Sequence, residues 1–168
     1  MRTIRRRRKE FKTNYGKRVK LLKGGKPRLV FRYSNSKILV QYTTSYEAQD
    51  KVMFGFDSRK LLEFGWPKEM IGSLRSMSAS YLMGFFIGNE IKNKKLEVPI
   101  VDFGMTRIIY KNNVFGFLKG LIDSGINIEC KKEAFPKEDR IVGKHMKKDF
   151  SSEFEKIKNN INKKWKKK

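Results

Sequence analysis

Acidic side chains are scarce in this sequence: 17 Asp and Glu stand against 40 Lys and Arg, a formal charge of +23. There is one cysteine, Cys130, which excludes an internal disulfide, and one histidine, His145. That pair cannot assemble the ligand set of a structural zinc site; Cys130 reads as structural or incidental, and His145, in a basic loop-like stretch, as an exposed RNA or protein contact at most. No apolar run reaches the about 18 residues that a membrane-crossing helix needs. The N-terminus is basic but lacks the apolar stretch of a secretory signal, so a cytosolic protein is expected. Gly24-Gly25-Lys26 lacks the spacing G-x-x-x-x-G-K-[ST] of a nucleotide-binding loop. Catalytic candidates are equally thin. Asp102 stands at the end of an expected strand, where a carboxylate can act in catalysis, but bracing a loop is the commoner role. No enzyme, cofactor or metal is expected. A magnesium-dependent nuclease is the enzymatic rival, and it would need several converging carboxylates.

What the sequence has in excess is positive charge, concentrated at both ends. Residues 1–28 carry 13 basic residues and one acid, a net +12, and residues 144–168 carry ten and three, a net +7. The 115 residues between them hold only +4. Such ends repel themselves, so they are expected to be poorly ordered alone. A polyanion relieves the repulsion and gains entropy as its counterions are released. Nucleic acid is therefore the leading partner; an acidic membrane or heparin-like surface is the alternative, but neither end is strongly apolar. A general RNA chaperone or nucleic-acid-compacting protein remains a rival, and the C-terminal lysine tract can also be read as a solvated tail.

The chain divides into a basic arm (1–27), a globular segment (28–146) and a basic C-terminal helix and tail (147–168). Val19, Leu21 and Leu22 suggest a short helix in the arm, closed by Gly24-Gly25-Lys26-Pro27. Residues 28–33, 37–42 and 52–56 read as strands of an antiparallel meander, with Leu29, Phe31 and Tyr33 facing Ile38, Val40 and Tyr42. A helical turn around residues 59–64 ends at Gly65. A helix is expected over 77–91, capped by Ser76, whose Gly84 and Gly88 imply a close approach to the sheet. Another strand is expected at 98–103 and another helix at 113–124, stopped by Gly125. The sequence beyond Ile128 reads as loop. Residues 151–165 space Phe154, Ile157, Ile161 and Trp165 as an amphipathic helix that docks on protein or RNA. The fold class is α/β: a single mixed sheet covered by helices, with a basic N-terminal arm and a C-terminal helix and tail.

The arm is the best candidate site. Arg5, Arg6, Arg7 and Arg8 offer planar donor forks to phosphate oxygens. Phe11 and Tyr15 lie four apart among Lys9, Lys12, Lys17 and Arg18, an arrangement that suits looped RNA, where an unstacked base can rest on a ring. The same two rings could instead anchor the arm onto the domain. Lys26, Arg28 and Arg32 extend the basic patch along one face of the first strand, for phosphate contact or simple solvation. Tyrosines and phenylalanines on the first strands also allow an RRM-like reading, although the paired aromatic motifs of that fold are missing.

The chain resembles the uL18 family of ribosomal proteins, in its archaeal and eukaryotic branch. The matching residues begin with Arg5-Arg6-Arg7-Arg8-Lys9-Glu10, Tyr15, Arg18, Lys20-Leu21-Leu22-Lys23 and Gly25-Lys26-Pro27-Arg28-Leu29-Val30. They continue through Ser58-Arg59, Gly65-Trp66, Ala79, Tyr81-Leu82 and Gly84. Val101-Asp102-Phe103-Gly104, Val114-Phe115, Leu118-Lys119-Gly120 and Asp123-Ser124-Gly125 follow, then Pro136 and Arg140-Ile141-Val142-Gly143-Lys144-His145. The match runs in order over roughly residues 5–146, and the length is nearer the archaeal form. Asn14, Gly16 and Lys111-Asn112-Asn113 depart from the family pattern. The resemblance implies a non-catalytic large-subunit protein that binds 5S rRNA in the central protuberance, touching 23S-type rRNA and neighbouring proteins, including uL5. It favours Arg5 to Lys9, Tyr15, Arg18, Lys20, Lys23, Lys26 and Arg28 as RNA contacts, with Lys144 and His145 reaching rRNA or a neighbouring protein.

Overall fold

A computed structural model describes residues 3–47, 49–146 and 149–166. The end of the lysine tract (167–168) lies outside the described residues.

Alternation along the first strands fixes the architecture. β1 (Arg28–Tyr33) pairs antiparallel with β2 (Ile38–Tyr46), which pairs antiparallel with β3 (Gln49–Asp57). The register sets Leu29 opposite Tyr42, Phe31 opposite Val40 and Tyr33 opposite Ile38, so the expected apolar faces coincide. β2 and β3 run further into the segment between them than expected, as far as the pair Tyr46 and Gln49. β4 (Ile100–Asp102) adds to the other side of β1 in parallel, giving the order β3-β2-β1-β4. It is shorter than expected. Pro99 has no N–H to pair, and Phe103 turns away to bury its ring against Phe31, centroids 5.6 Å apart.

One sheet face is covered by α3 (Met77–Asn93) and α4 (Asn113–Asp123). Ser76 caps α3 by accepting from the Ala79 N–H, and Asn112 caps α4 by accepting from Val114 and Phe115 N–H. The departure from the family pattern at Asn112 thus closes a helix end. α3 is buried on nearly every side because it lies between the sheet, α4 and the C-terminal helix. Its glycines do not approach the sheet, as expected from sequence, but α4. A Cβ on Gly84 would stand 2.2 Å from the Phe117 carbonyl oxygen, and one on Gly120 would stand 2.1 Å from that of Tyr81. The sheet already meets large rings, Phe31 against Phe117 and Phe56 against Phe86, which leave no need for a bare backbone there.

One correction concerns the C-terminal third. The segment after Ile128 contains a short helix, α5 (Glu138–Val142), with Glu138 and Asp139 in its first turn and Gly143 in the left-handed conformation at its end. The expected C-terminal helix is present as α6 (Ser151–Lys166), and its stripe of Phe154, Ile157 and Ile161 is buried in this domain's own core. Phe154 packs on Tyr81 at 5.5 Å and Trp165 on Phe86 at 6.2 Å between centroids. Lys158 lies over the Tyr81 and Phe85 rings, and Lys164 over Phe64 and Phe86. Part of the C-terminal charge therefore covers aromatic surface within the protein.

Candidate nucleic-acid interface

The arm also has helical structure. α1 (Arg6–Lys9) is one turn, and α2 (Tyr15–Lys23) begins at Asn14, whose side chain accepts from the Lys17 N–H. Asn serves here as well as Asp would, since both side chains accept at an N-cap. Between the helices the chain turns at Phe11, with φ +53°. Backbone bonds from Phe11 to Arg8 and from Lys12 and Thr13 to Arg7 hold that turn. Arg7 adds a side-chain bond, Nε to Thr13 Oγ1 at 2.9 Å.

α2 returns over the sheet face opposite the core. There Arg28, Val30 and Arg32 of β1 lie beside Ile100 and Asp102 of β4. A cleft of about 100 Å³ separates the two layers, lined by Arg7, Lys12, Lys17, Arg18, Arg28 and Arg32, with Asp102 in its wall. The arm is pinned at one edge. Asp50, near the tip of the β2–β3 hairpin, accepts from Arg18 at 2.8 Å with one oxygen and from Arg28 at 2.6 Å with the other. Burial pushes the Asp50 carboxyl up, but bonds from Ser45, Arg18 and Arg28 outweigh it and hold the group below the usual carboxylate range. Asp102 follows the same balance: burial raises it, while the Gly104 N–H and the Arg32 guanidinium bring it below its ordinary value. Its oxygens accept from Gly104 N–H at 2.8 Å and Arg32 at 3.1 Å. Asp102 thus braces the loop after β4, and no catalytic role is needed to explain it.

The expected site residues separate into three groups. Arg5, Arg6, Arg8, Lys9, Lys12, Lys20, Lys23 and Lys26 are exposed along the arm, with Arg7. Of these, Arg6 and Lys12 share Glu10, each at 2.7 Å, contacts weak enough in water to yield to a phosphate. Arg18 and Arg32 are partly buried and tied to carboxylates, although Arg32 keeps 38% of its side chain exposed. Arg28 requires a correction. It is neither a solvated strand residue nor free to meet a phosphate: its side chain is 3% exposed and ion-paired to Asp50. It positions the arm instead.

The two rings also part company. Phe11 does not anchor the arm; it is 77% exposed. Tyr15 is half-buried, and the Arg5 guanidinium lies over its ring at 4.8 Å. Lys144 and His145 are exposed after α5, where neighbouring Gly143 packs by Ser78 and Phe150, and they do not line the cleft. Lys17 is the cleft residue that the sequence named only as a neighbour of the rings. The helical periodicity of α2, which sets it one turn from Leu21, was the available signal.

Among the described residues no cluster of His, Cys, Asp and Glu could hold a metal ion, and no helix is long and apolar enough to cross a membrane. A compact α/β body presenting a helical, arginine-rich arm has the electrostatic footprint of a nucleic-acid-binding protein. Comparison with known proteins makes this specific. Residues 1–98 match the family described as "Ribosomal large subunit proteins 60S L5, and 50S L18". The chain is also 36% identical over 142 residues to the large ribosomal subunit protein uL18 of Caldivirga maquilingensis, covering 84% of this chain and 67% of that one. The chain belongs to the uL18 family of large-subunit ribosomal proteins, in its archaeal form. Its role is that of a structural, rRNA-binding component of the cytoplasmic ribosome, not an enzyme.

Proposed function

We propose that this protein binds 5S rRNA and anchors it in the central protuberance, with further contacts to 23S-type rRNA and to neighbouring proteins, including uL5. The observation that carries the reading is the run of exposed cations on α1 and the following turn, set beside the cationic cleft that α2 makes with the sheet. Arg5 to Lys9, Lys12, Lys20, Lys23 and Lys26 meet backbone phosphates; Arg18 and Arg32 add donors at the cleft. Arg28 and Asp50 hold the arm in register, so less ordering entropy is lost on binding than for a free tail. Lys144 and His145 form a separate contact for rRNA or a neighbouring protein.

Deleting whole ends is a poor test here, because residue 28 belongs to β1 and α6 belongs to the core. Substitution of Arg5, Arg6, Arg7 and Arg8 by Gln is cleaner. With 5S rRNA, it should weaken binding and flatten the salt dependence by roughly 3 log units of affinity per log unit of salt, at about 0.7–0.9 per lost phosphate contact. Unchanged affinity and slope would remove the arm as the main RNA site.

A further inference from the structure

We propose that the groove between α1 and the loop after β4 receives one unstacked RNA base, seated on the Phe11 ring. The inference rests on the RNA-binding reading above and gives it a specific pocket. The groove is about 510 Å³ and is lined by the apolar Ile4, Phe11 and Met105 together with Arg8, Lys9, Thr13 and Asn14. Those three large apolar side chains are 67%, 77% and 45% exposed. Single exposed apolar residues need no explanation, but three on one groove, in the most cationic part of the chain, do.

Phe11 itself is held out at a conformational cost. Its φ of +53° is a region that bulky L-residues rarely adopt. If the turn existed only to end α1, glycine would make it without strain. Backbone bonds from Phe11, Lys12 and Thr13 nevertheless keep it there and leave the ring in solvent. Strain of this kind is retained where the surrounding structure fixes it for a function. The opposite wall is equally fixed. Gly104 takes φ +59° and donates its N–H to Asp102, and Thr106 N–H donates to Phe103, which places Met105 across from the arm.

The chemistry selects the occupant. Tyr15 already has Arg5 over its ring, so Phe11 is the arm ring with a free face. A nucleobase offers an apolar face to Phe11, Ile4 and Met105 while its two flanking phosphates meet Arg8 and Lys9. An apolar protein segment would satisfy the first contact and leave the cations unmatched. A duplex would satisfy the cations and leave the groove empty, because its bases stay stacked.

The test compares 5S rRNA, which contains loops, with a fully paired RNA duplex of the same length. Phe11→Ala should weaken 5S rRNA binding roughly five- to 150-fold, the range for removing one base–aromatic stack. Phe11→Leu should fall between, Phe11→Trp should bind like the parent protein, and Met105→Ala should show a smaller loss. None should change the salt slope or the affinity for the duplex, since no cation is removed. Unchanged 5S rRNA affinity in Phe11→Ala would assign the groove to a protein neighbour and overturn the proposal. An equal loss on both RNAs would also overturn it, since the ring would then support the backbone contact. Failure of the parent protein to bind 5S rRNA would instead remove the functional reading beneath it.

Discussion

Arg28 and Asp50 meet at 2.6 Å and join the foot of β1 to the tip of the β2–β3 hairpin. The other Asp50 oxygen takes Arg18 of α2 at 2.8 Å, so one carboxylate fixes both the strand and the arm that lies over it. Besides Asp50, Arg28 donates to Ser45 Oγ at 3.1 Å; its other carboxylate, Asp102, lies 3.9 Å away, and its Nε is buried without a hydrogen bond. Asp50→Ala should therefore destabilise the protein by about 3 kcal/mol, the lower end for removing one partner of a buried pair, because the carboxylate is 28% exposed. Asp50→Asn should lose less, since the amide oxygen still accepts one bond. Urea midpoints with unchanged slopes would measure both. No loss in the alanine variant would mean that Arg28 finds compensation elsewhere.

Acid should undo the same contacts. Asp50 and Asp102 both lie below the ordinary carboxylate value in the folded protein. A depressed group contributes stability that is fully present above its unfolded value, about 3.9, and is lost as pH falls through the folded value. The stability gap between the parent protein and Asp50→Asn should thus be constant from neutrality to about pH 5 and should close progressively below about pH 4. Urea titrations on either side of that window would show it. A gap that survives strong acid would rule out the carboxylate charge as its cause.

Reading the sequence succeeded where the rule was local. Alternation in residues 28–42 gave the strand pairing and its faces, and Ser76 marked the start of α3. It failed where the answer depended on what arrives from far along the chain. Arg28 was correctly placed on the polar face of β1, but nothing local says that α2 folds back over that face. Gly84 and Gly88 signalled a close approach, yet a glycine stripe does not name its neighbour, and the complementary glycines lie more than 30 residues away in α4. The apolar stripe of α6 was equally clear, while its docking surface, which includes Tyr81 and Phe86 of α3, is made by a distant element. For the site, the arm was legible as charge; the groove was not, because Met105 joins Phe11 only through the fold.

The α3–α4 seam allows a sharp prediction. Replacing a mid-helix glycine with alanine ordinarily stabilises a helix by about 0.8–1.0 kcal/mol. At Gly84 the added carbon would meet the Phe117 carbonyl oxygen at 2.2 Å, and at Gly120 the Tyr81 oxygen at 2.1 Å. Both obstacles are backbone, so the helices must separate, and overpacking of this kind typically costs about 1–3 kcal/mol or more. The clash outweighs the propensity. Each variant should lose stability, whereas Gly72→Ala, with nothing within 4 Å, should stay within about 0.5 kcal/mol of the parent. Thermal or urea unfolding of the three variants would decide it; stabilisation by Gly84→Ala would mean that the seam is looser than its geometry.

α6 separates charge from structure within one cationic segment. Ile157 and Ile161 have no exposed surface, while Lys156 and Lys163 are exposed on the same helix. Ile157→Ala should destabilise the domain by about 2–5 kcal/mol, through lost burial and the cavity left against α3. Lys156→Gln with Lys163→Gln should leave stability within about 0.5 kcal/mol. That double variant should also lower RNA affinity less than the loss of two arm arginines does. The comparison needs only urea midpoints and one RNA titration at fixed salt. If the lysine pair mattered as much as two arginines, α6 would be a second RNA-binding surface as well as part of the core. If Ile157→Ala left the midpoint unchanged, α6 would be resting on the domain without stabilising it.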